Sequence, residues 1–364
     1  MKVLLLADVN SIHTIKWANN LSIAEGIEIG IWSIVGLTED KAALLHPKVK
    51  IFSPNGTQTR KNFLTKLKYL SFLSEAKNAI KKFNPDILHA HYATSYGLIG
   101  RLIGFKPLII SVWGSDVYLF PRKNFFFKKI LVDNLKSANI ILSTSKAMGE
   151  ETKKYTKKEI FITPFGIDTK RFSPNKVLNR ITFNIGCIKS LEEIYGIRYL
   201  ILAFARFLKE YPEVNSKLLI GGEGSEGTNL RDLANELNIT DFVEFIGRIS
   251  NDAVPQFLND LDVAVFPSLS ESFGVAAIEA SSVEVPVIVS NVGGLPEVID
   301  QHETGIIVEP KDIDGLFKAI EYLYENPLER MRLGKNGRQK VCDEYEITEN
   351  TQRMIDIYSE LLKK

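Results

Sequence analysis

Two carboxylates eight positions apart, Glu271 and Glu279, bracket the stretch Glu271-Ser-Phe-Gly-Val-Ala-Ala-Ile-Glu279. An apolar run, Val263 to Phe266, precedes it and reads as a buried parallel strand. Ser268 to Phe273 reads as a short loop, with helix from Gly274 onward. A helix start offers unpaired backbone N–H groups and partial positive charge, which suit a phosphate. Gly274 would leave room for a ligand to approach the backbone. Carboxylates on either side of a bound phosphate would accept hydrogen bonds from hydroxyls. A diphosphate flanked by two hydroxyl-bearing rings is a nucleotide-sugar. The plainer alternatives are a solvated helix residue for Glu279 and a partner of the helix dipole for Glu271.

The elements that must hold these residues follow from the hydrophobic pattern. Short apolar runs alternate with longer amphipathic segments, which predicts an α/β protein with parallel sheets. Strands are expected at Val3–Leu6, Ile27–Ser33, Ile87–His89, Leu108–Ser111, Ile140–Ser143 and Ile160–Thr163. A second series is expected at Ile181–Gly186, Lys217–Ile220, Val243–Ile246, Val263–Phe266, Val287–Ser290 and Ile306–Val308. Asn175 to Arg180 reads as a linker. The 364 residues therefore divide into an N-terminal Rossmann-like domain, 1–175, a C-terminal one, 176–345, and a last helix, 346–364. That helix carries Met354, Ile355, Ile357 and Tyr358 as its apolar stripe and is expected on either domain, with a crossing back to the first allowed for. Ligands of such sheets bind beyond the carboxyl ends of the strands, so a cleft between the two domains is expected.

Composition narrows the function classes. Hydrophobic residues make up 45% and charged residues 24%, as in soluble globular proteins. Cys187 and Cys342 are the only cysteines, so a disulfide framework is not implied and a reducing cytoplasm fits. The opening run Val3 to Ala7 is too short for a secretion signal and is closed by Asp8. No apolar run is long enough to span a bilayer. The net charge of +1 hides an asymmetry: residues 1–178 hold 27 Lys and Arg against 13 Asp and Glu, and the remainder 18 against 31. Two stretches, Arg60 to Leu73 and Pro121 to Leu131, mix the cations with aromatic and aliphatic residues. Either is an amphipathic helix with solvated lysines, or together they form a surface for anionic lipid, peripheral on the inner face of the membrane. Nucleic acid is not expected, because no recognition motif accompanies the charge. Residues 1 to 25 contain no glycine, which argues against a dinucleotide turn in the first domain.

Several segments now occur in a set order: Phe245-Ile-Gly-Arg248, Ala264 to Ser268, Glu271 to Gly274, Ile278-Glu-Ala280, Pro286-Val-Ile288, Gly293-Gly-Leu-Pro-Glu297 and Thr304-Gly305. In this order the chain resembles the retaining glycosyltransferases of family four, the "glycosyl transferases group 1" set with the GT-B fold. The resemblance runs over essentially the whole chain and is strongest from 181 to 310. It implies that Glu279 bonds the donor ribose and Glu271 the transferred sugar. It also implies that Ser272 and the amides around Phe273, Gly274 and Val275 hold sugar and distal phosphate, and that Arg248 and Ile249 lie near the base. Lys189 stands for a family arginine that faces the diphosphate. A family lysine nearby is replaced by Ile194 or Tyr195, with Arg198 or Arg248 as candidate substitutes. Glu284 stands where the family often has glycine.

In the first half, Pro85 to His91 and Ser111-Val-Trp-Gly-Ser-Asp116 match two further landmarks, with Trp113 where many members have histidine. An indole face would then line the sugar site, with Asp116 or His91 supplying polar contacts. His91 is alternatively a satisfied core histidine. The loop after the first strand faces the acceptor in the family, which makes Ser11 and His13 acceptor candidates beside Trp113. Ser11 is equally a plain helix cap. The catalytic candidates are thus Glu271, Lys189, Asp116 and His91. No metal-ligand cluster is visible, so no metal or other cofactor is expected beyond the nucleotide-sugar co-substrate. The expected activity is sugar transfer to a lipid-linked or cell-surface glycan precursor. A transferase for a small soluble metabolite and a non-catalytic nucleotide-sugar-binding subunit are the alternatives.

Overall fold

A computed structural model describes residues 1–53, 66–175 and 181–363. The chain divides into two compact units, Met1–Phe165 with Ile347–Lys364, and Gly166–Glu346. Most of the inferred linker, and the start of the first basic stretch, lie outside the described residues.

The first unit is built on one parallel sheet. Its strands are β1 (Lys2–Leu6), β2 (Glu28–Trp32), β3 (Lys50–Phe52), β4 (Ile87–His91), β5 (Leu108–Val112), β6 (Ile140–Ser143) and β7 (Ile160–Ile162). Their order is β3-β2-β1-β4-β5-β6-β7. Every residue of β4 and β5 is buried, because helices cover both faces of the sheet. The last helix, Ile347–Lys363, belongs to this unit and packs on the helix Ile12–Ile23. Of its apolar stripe, Met354 and Tyr358 are fully enclosed.

The second unit repeats the plan with β8 (Phe183–Ile188), β9 (Ser216–Gly221), β10 (Val243–Gly247), β11 (Val263–Phe266), β12 (Val287–Ser290) and β13 (Gly305–Val308), in the order β10-β9-β8-β11-β12-β13. All pairs are parallel. Val263, Val265, Val287 and Val289 are wholly buried, each stabilising the sheet by about 2 kcal/mol. At the unit's end the chain closes on its start: Ile167 N–H donates to the Tyr345 carbonyl at 2.8 Å.

Both sheets contain a point where strand order reverses, between β1 and β4 and between β8 and β11. The carboxyl ends of neighbouring strands diverge there and leave a crevice for ligands. Topology thus singles out four chain segments: the residues after β1, β4, β8 and β11.

Candidate active site

In the second unit, Lys189 directly follows β8, and Glu271 lies five residues beyond β11. Their side chains form an ion pair of 2.5 Å, with about 15% and 14% of each exposed. The other Glu271 oxygen, Oε1, accepts the Ser272 N–H at 3.2 Å. Burial alone would push the Lys189 ammonium down; the charge and hydrogen bond of Glu271 outweigh it and hold the group above the usual lysine value. Lys189 is therefore a fixed positive charge at the reversal point of this sheet.

The loop holding Glu271 is pinned from behind. Gly293 has φ +53°, and a Cβ there would fall 1.7 Å from the Glu271 carbonyl oxygen. Gly294 N–H donates to that same oxygen at 3.1 Å. Only glycine allows the two loops to approach this closely. The segment Gly293-Gly-Leu-Pro-Glu297 is thus a backing for the Glu271 loop.

The helix predicted from Gly274 is Val275–Ser282, with Gly274 as its N-cap at φ +111°. Its first internal bonds run from Ala277 and Ile278 to the Gly274 carbonyl. The Val275 and Ala276 amides precede these bonds and have no intrahelical acceptor. A Cβ at Gly274 would meet Leu295 at 2.9 Å and Val298 at 3.3 Å, so the glycine also serves backbone conformation and packing. Glu279 lies within the helix and is half-buried. Phe273 is buried, edge-on to Tyr345 at 5.7 Å. Beyond β10, Arg248 is exposed and Ile249 half-buried. Glu284 adopts φ +60°, the left-handed conformation that glycine takes without strain, which accounts for a glycine-compatible position occupied here by glutamate.

In the first unit, the segments after β1, β4, β5 and β7 bring a set of rings together. Trp113 lies 4.5 Å from His91, 5.5 Å from Phe165 and 5.8 Å from Tyr92, measured between ring centres. His13 stacks on Phe165 at 4.1 Å and meets Trp113 edge-on at 6.1 Å. Asp116 fixes this arrangement. It is buried, and its carboxylate accepts N–H groups from Ala93 at 2.8 Å, Gly114 at 2.8 Å and Trp113 at 3.2 Å. Burial raises its proton affinity and the three amides oppose the rise. Asp116 thereby ties the loop after β4 to the loop after β5 and sets the position of Trp113.

His91 is buried, and its Nδ1 has no hydrogen-bond partner among the described residues. Burial first, then the neighbouring His89 and His13, hold it well below the usual histidine value, so it is neutral. Behind it, His89 receives both its ring partners from inside the unit: Tyr358 Oη at 2.7 Å on Nδ1 and Ser111 Oγ at 2.7 Å on Nε2. Ser11 occupies the N-cap position of the helix Ile12–Ile23 but its side chain makes no cap bond. The neighbouring Asn10, which the motif reading passed over, binds the Gly36 carbonyl and the Thr38 amide. Phe165 was also passed over, since nothing in its local sequence marks it and its ring partners His13 and Trp113 lie far away along the chain.

Among the described residues, no group of three or more His, Cys, Asp or Glu is placed to hold a metal ion, and no helix is long and apolar enough to cross a membrane. The second basic stretch forms the helix Phe125–Ser137 and the turn before it. Phe125 and Phe126 are 73% and 76% exposed, and Leu119 is 55% exposed. A core-facing apolar stripe does not describe these three residues.

Two parallel Rossmann-like sheets in one chain are the architecture of the GT-B class of glycosyltransferases. The comparisons agree. The model of the family "Glycosyl transferases group 1" matches residues 168–340, and that of "Glycosyl transferase 4-like" matches 2–145. The chain belongs to this group 1, family-four type of glycosyltransferase and is an enzyme of the glycosyltransferase class. It is 26% identical over 313 residues to N-acetyl-alpha-D-glucosaminyl L-malate synthase of Bacillus anthracis, covering 81% of this chain and 80% of that one. It is 30% identical over 262 residues to the MMP alpha-(1->4)-mannosyltransferase of Mycolicibacterium hassiacum, covering 71% and 60% respectively. Among solved structures, sucrose-phosphate synthase from Thermosynechococcus elongatus superposes with a TM-score of 0.84 at 20% identity, over 100% of this chain and 99% of that one. Anabaena HepE in complex with UDP gives 0.81 at 16% identity, over 99% and 100%. These two establish the fold.

Proposed function

We propose that this enzyme is a retaining transferase that moves a sugar from a nucleotide-diphosphate sugar to a hydroxyl of a lipid-linked or cell-surface glycan precursor at the cytoplasmic membrane face. The observation that carries the donor half is the Lys189–Glu271 pair at the reversal point of the second sheet, beside the start of the helix Val275–Ser282. The bond from the sugar's anomeric carbon to the diphosphate breaks as charge builds on the leaving oxygens. The Lys189 ammonium and the amides of Phe273, Gly274 and Val275 stabilise that charge, having been fixed beforehand. Glu271 takes sugar hydroxyls, Glu279 the ribose, and Arg248 with Ile249 the base. The acceptor oxygen bonds to the same face of the anomeric carbon and its proton passes to the departing phosphate. No metal is needed in this scheme, because Lys189 supplies the counter-charge. In the first unit, Trp113 presents its indole to a sugar ring, held by Asp116. His91, neutral, serves as a hydrogen-bonding group, and Ser11 and His13 contact the acceptor.

The exposed Phe125 and Phe126, beside Arg122, Lys123, Lys128 and Lys129, support an anionic membrane surface as the place of work. A second reading, transfer to a small soluble acceptor, is favoured by the names of two relatives, the N-acetyl-alpha-D-glucosaminyl L-malate synthase above and a D-inositol 3-phosphate glycosyltransferase of Pseudarthrobacter chlorophenolicus, 29% identical over 278 residues. Donor turnover tests the common part. Glu271→Gln should reduce it by about a hundredfold, and EDTA should leave the wild type unchanged. Full turnover by Glu271→Gln, or a loss with EDTA that manganese restores, would refute the scheme.

A further inference from the structure

Lys189 has a second neighbour besides Glu271. Its ammonium lies 4.9 Å from the centre of the Tyr195 ring. Tyr195 ends a single 3-10 turn, Glu193–Tyr195, in the loop that follows β8. That loop is anchored on both sides. The Ile194 carbonyl accepts the Leu269 N–H at 2.8 Å, two residues before Glu271. Leu191 donates to the Glu223 carbonyl at 3.0 Å and accepts from Glu226 N–H at 2.8 Å. The ring and the carboxylate that grip Lys189 are therefore carried by two loops bonded to each other.

We infer that Tyr195 is a positioning residue, whose ring face holds the Lys189 ammonium where the donor diphosphate binds. The inference rests on the donor role of Lys189 proposed above. A lysine is a point charge on a flexible four-carbon stem, and it stabilises a diphosphate only when the stem is held in one arrangement. Glu271 alone fixes one direction of approach. The electron-rich ring face attracts the ammonium from a second direction and cannot neutralise it as a second carboxylate would. In the loop after β8 this chain places an aromatic ring against Lys189. Arg198, in the helix that follows, is exposed.

The test is a double-substitution cycle read by calorimetric titration with UDP, GDP and ADP, using whichever binds most tightly to the wild type. Tyr195→Leu keeps side-chain bulk but removes the ring face and should weaken binding by about fivefold to tenfold. Tyr195→Phe keeps the ring face and should bind within about twofold of the wild type. Lys189→Met should weaken binding on its own, and adding Tyr195→Leu to it should cost nothing more. A silent Tyr195→Leu, failure of Tyr195→Phe to restore binding, or an undiminished cost of Tyr195→Leu in the Lys189→Met background overturns the positioning role alone. No binding by any of the three nucleotides, or an unchanged affinity in Lys189→Met, overturns the donor reading of Lys189 and this inference with it.

Discussion

Tyr358 Oη meets His89 Nδ1 at 2.7 Å, joining the last helix to the centre of the first sheet across 269 positions of chain. Both groups are fully buried, so each supplies what the other would otherwise lack. Burial pushes the tyrosine hydroxyl up and keeps the imidazole neutral. Replacing Tyr358 by Phe leaves a buried imidazole nitrogen unpaired, at a cost of about 1–3 kcal/mol. Thermal denaturation of Tyr358→Phe should show a melting temperature lower by several degrees. An unchanged melting temperature would mean that packing alone holds the helix.

The same histidine predicts a pH dependence. In the folded protein burial lowers its value to about 3, whereas in the unfolded chain it is near ~6.5. Between these values the unfolded chain binds a proton that the folded one does not. Stability therefore rises with pH across this window and is lost as pH falls from about 6.5 towards 3, with a slope of up to about 1.4 kcal/mol per pH unit. His91, also held below its usual value, steepens the loss. Asp116, held above its usual value, acts in the opposite sense just above the normal carboxylate range. Urea midpoints should fall between pH 7 and pH 5 in the wild type and fall less in His89→Gln. Parallel profiles for the two proteins would contradict this assignment.

Much of the fold was legible because parallel strands covered on both faces are continuous apolar runs. β6, β11 and β12 begin and end where the pattern places them, and the other predicted strands are offset by at most two residues at either end. β3 was missed, since only three residues pair and none is fully buried. β8 begins at Phe183, two residues later than expected, because Ile181 is apolar yet 90% exposed. At the site, residue types and spacing singled out Glu271 and Glu279, and the family resemblance singled out Lys189. They did not disclose that Lys189 pairs with Glu271, a contact between positions 82 apart. The role of Phe165 was hidden for the same reason, because its ring partners His13 and Trp113 are distant in the chain, whereas Tyr195, close to Lys189 in the same loop, was marked only as a replacement for a family lysine. Asp116 was marked by its motif as a polar contact, whereas the structure shows its oxygens holding three backbone amides.

If Phe125 and Phe126 insert beside the lysines of their helix, the wild type should sediment with vesicles rich in phosphatidylserine or phosphatidylglycerol and not with neutral phosphatidylcholine vesicles. The double substitution Phe125→Ser, Phe126→Ser should reduce binding by at least tenfold, because two buried rings contribute about 3 kcal/mol or more. Turnover of a soluble acceptor should not change. Equal recovery of both proteins with the anionic vesicles would leave the small-acceptor reading in place.

In the proposed function the second unit binds a nucleotide-sugar through Lys189, Glu271 and Glu279. A ligand that binds only the folded protein raises its melting temperature by mass action, by about 2.7 kcal/mol of stability at a hundred times the dissociation constant. The most direct test is a thermal-shift panel of UDP-, GDP-, ADP- and TDP-sugars on the wild type and on Glu279→Ala. At least one donor should raise the melting temperature of the wild type by several degrees, and Glu279→Ala should lose most of that shift. A wild type that responds to none of the four, or a Glu279→Ala protein that responds fully, would contradict the claim.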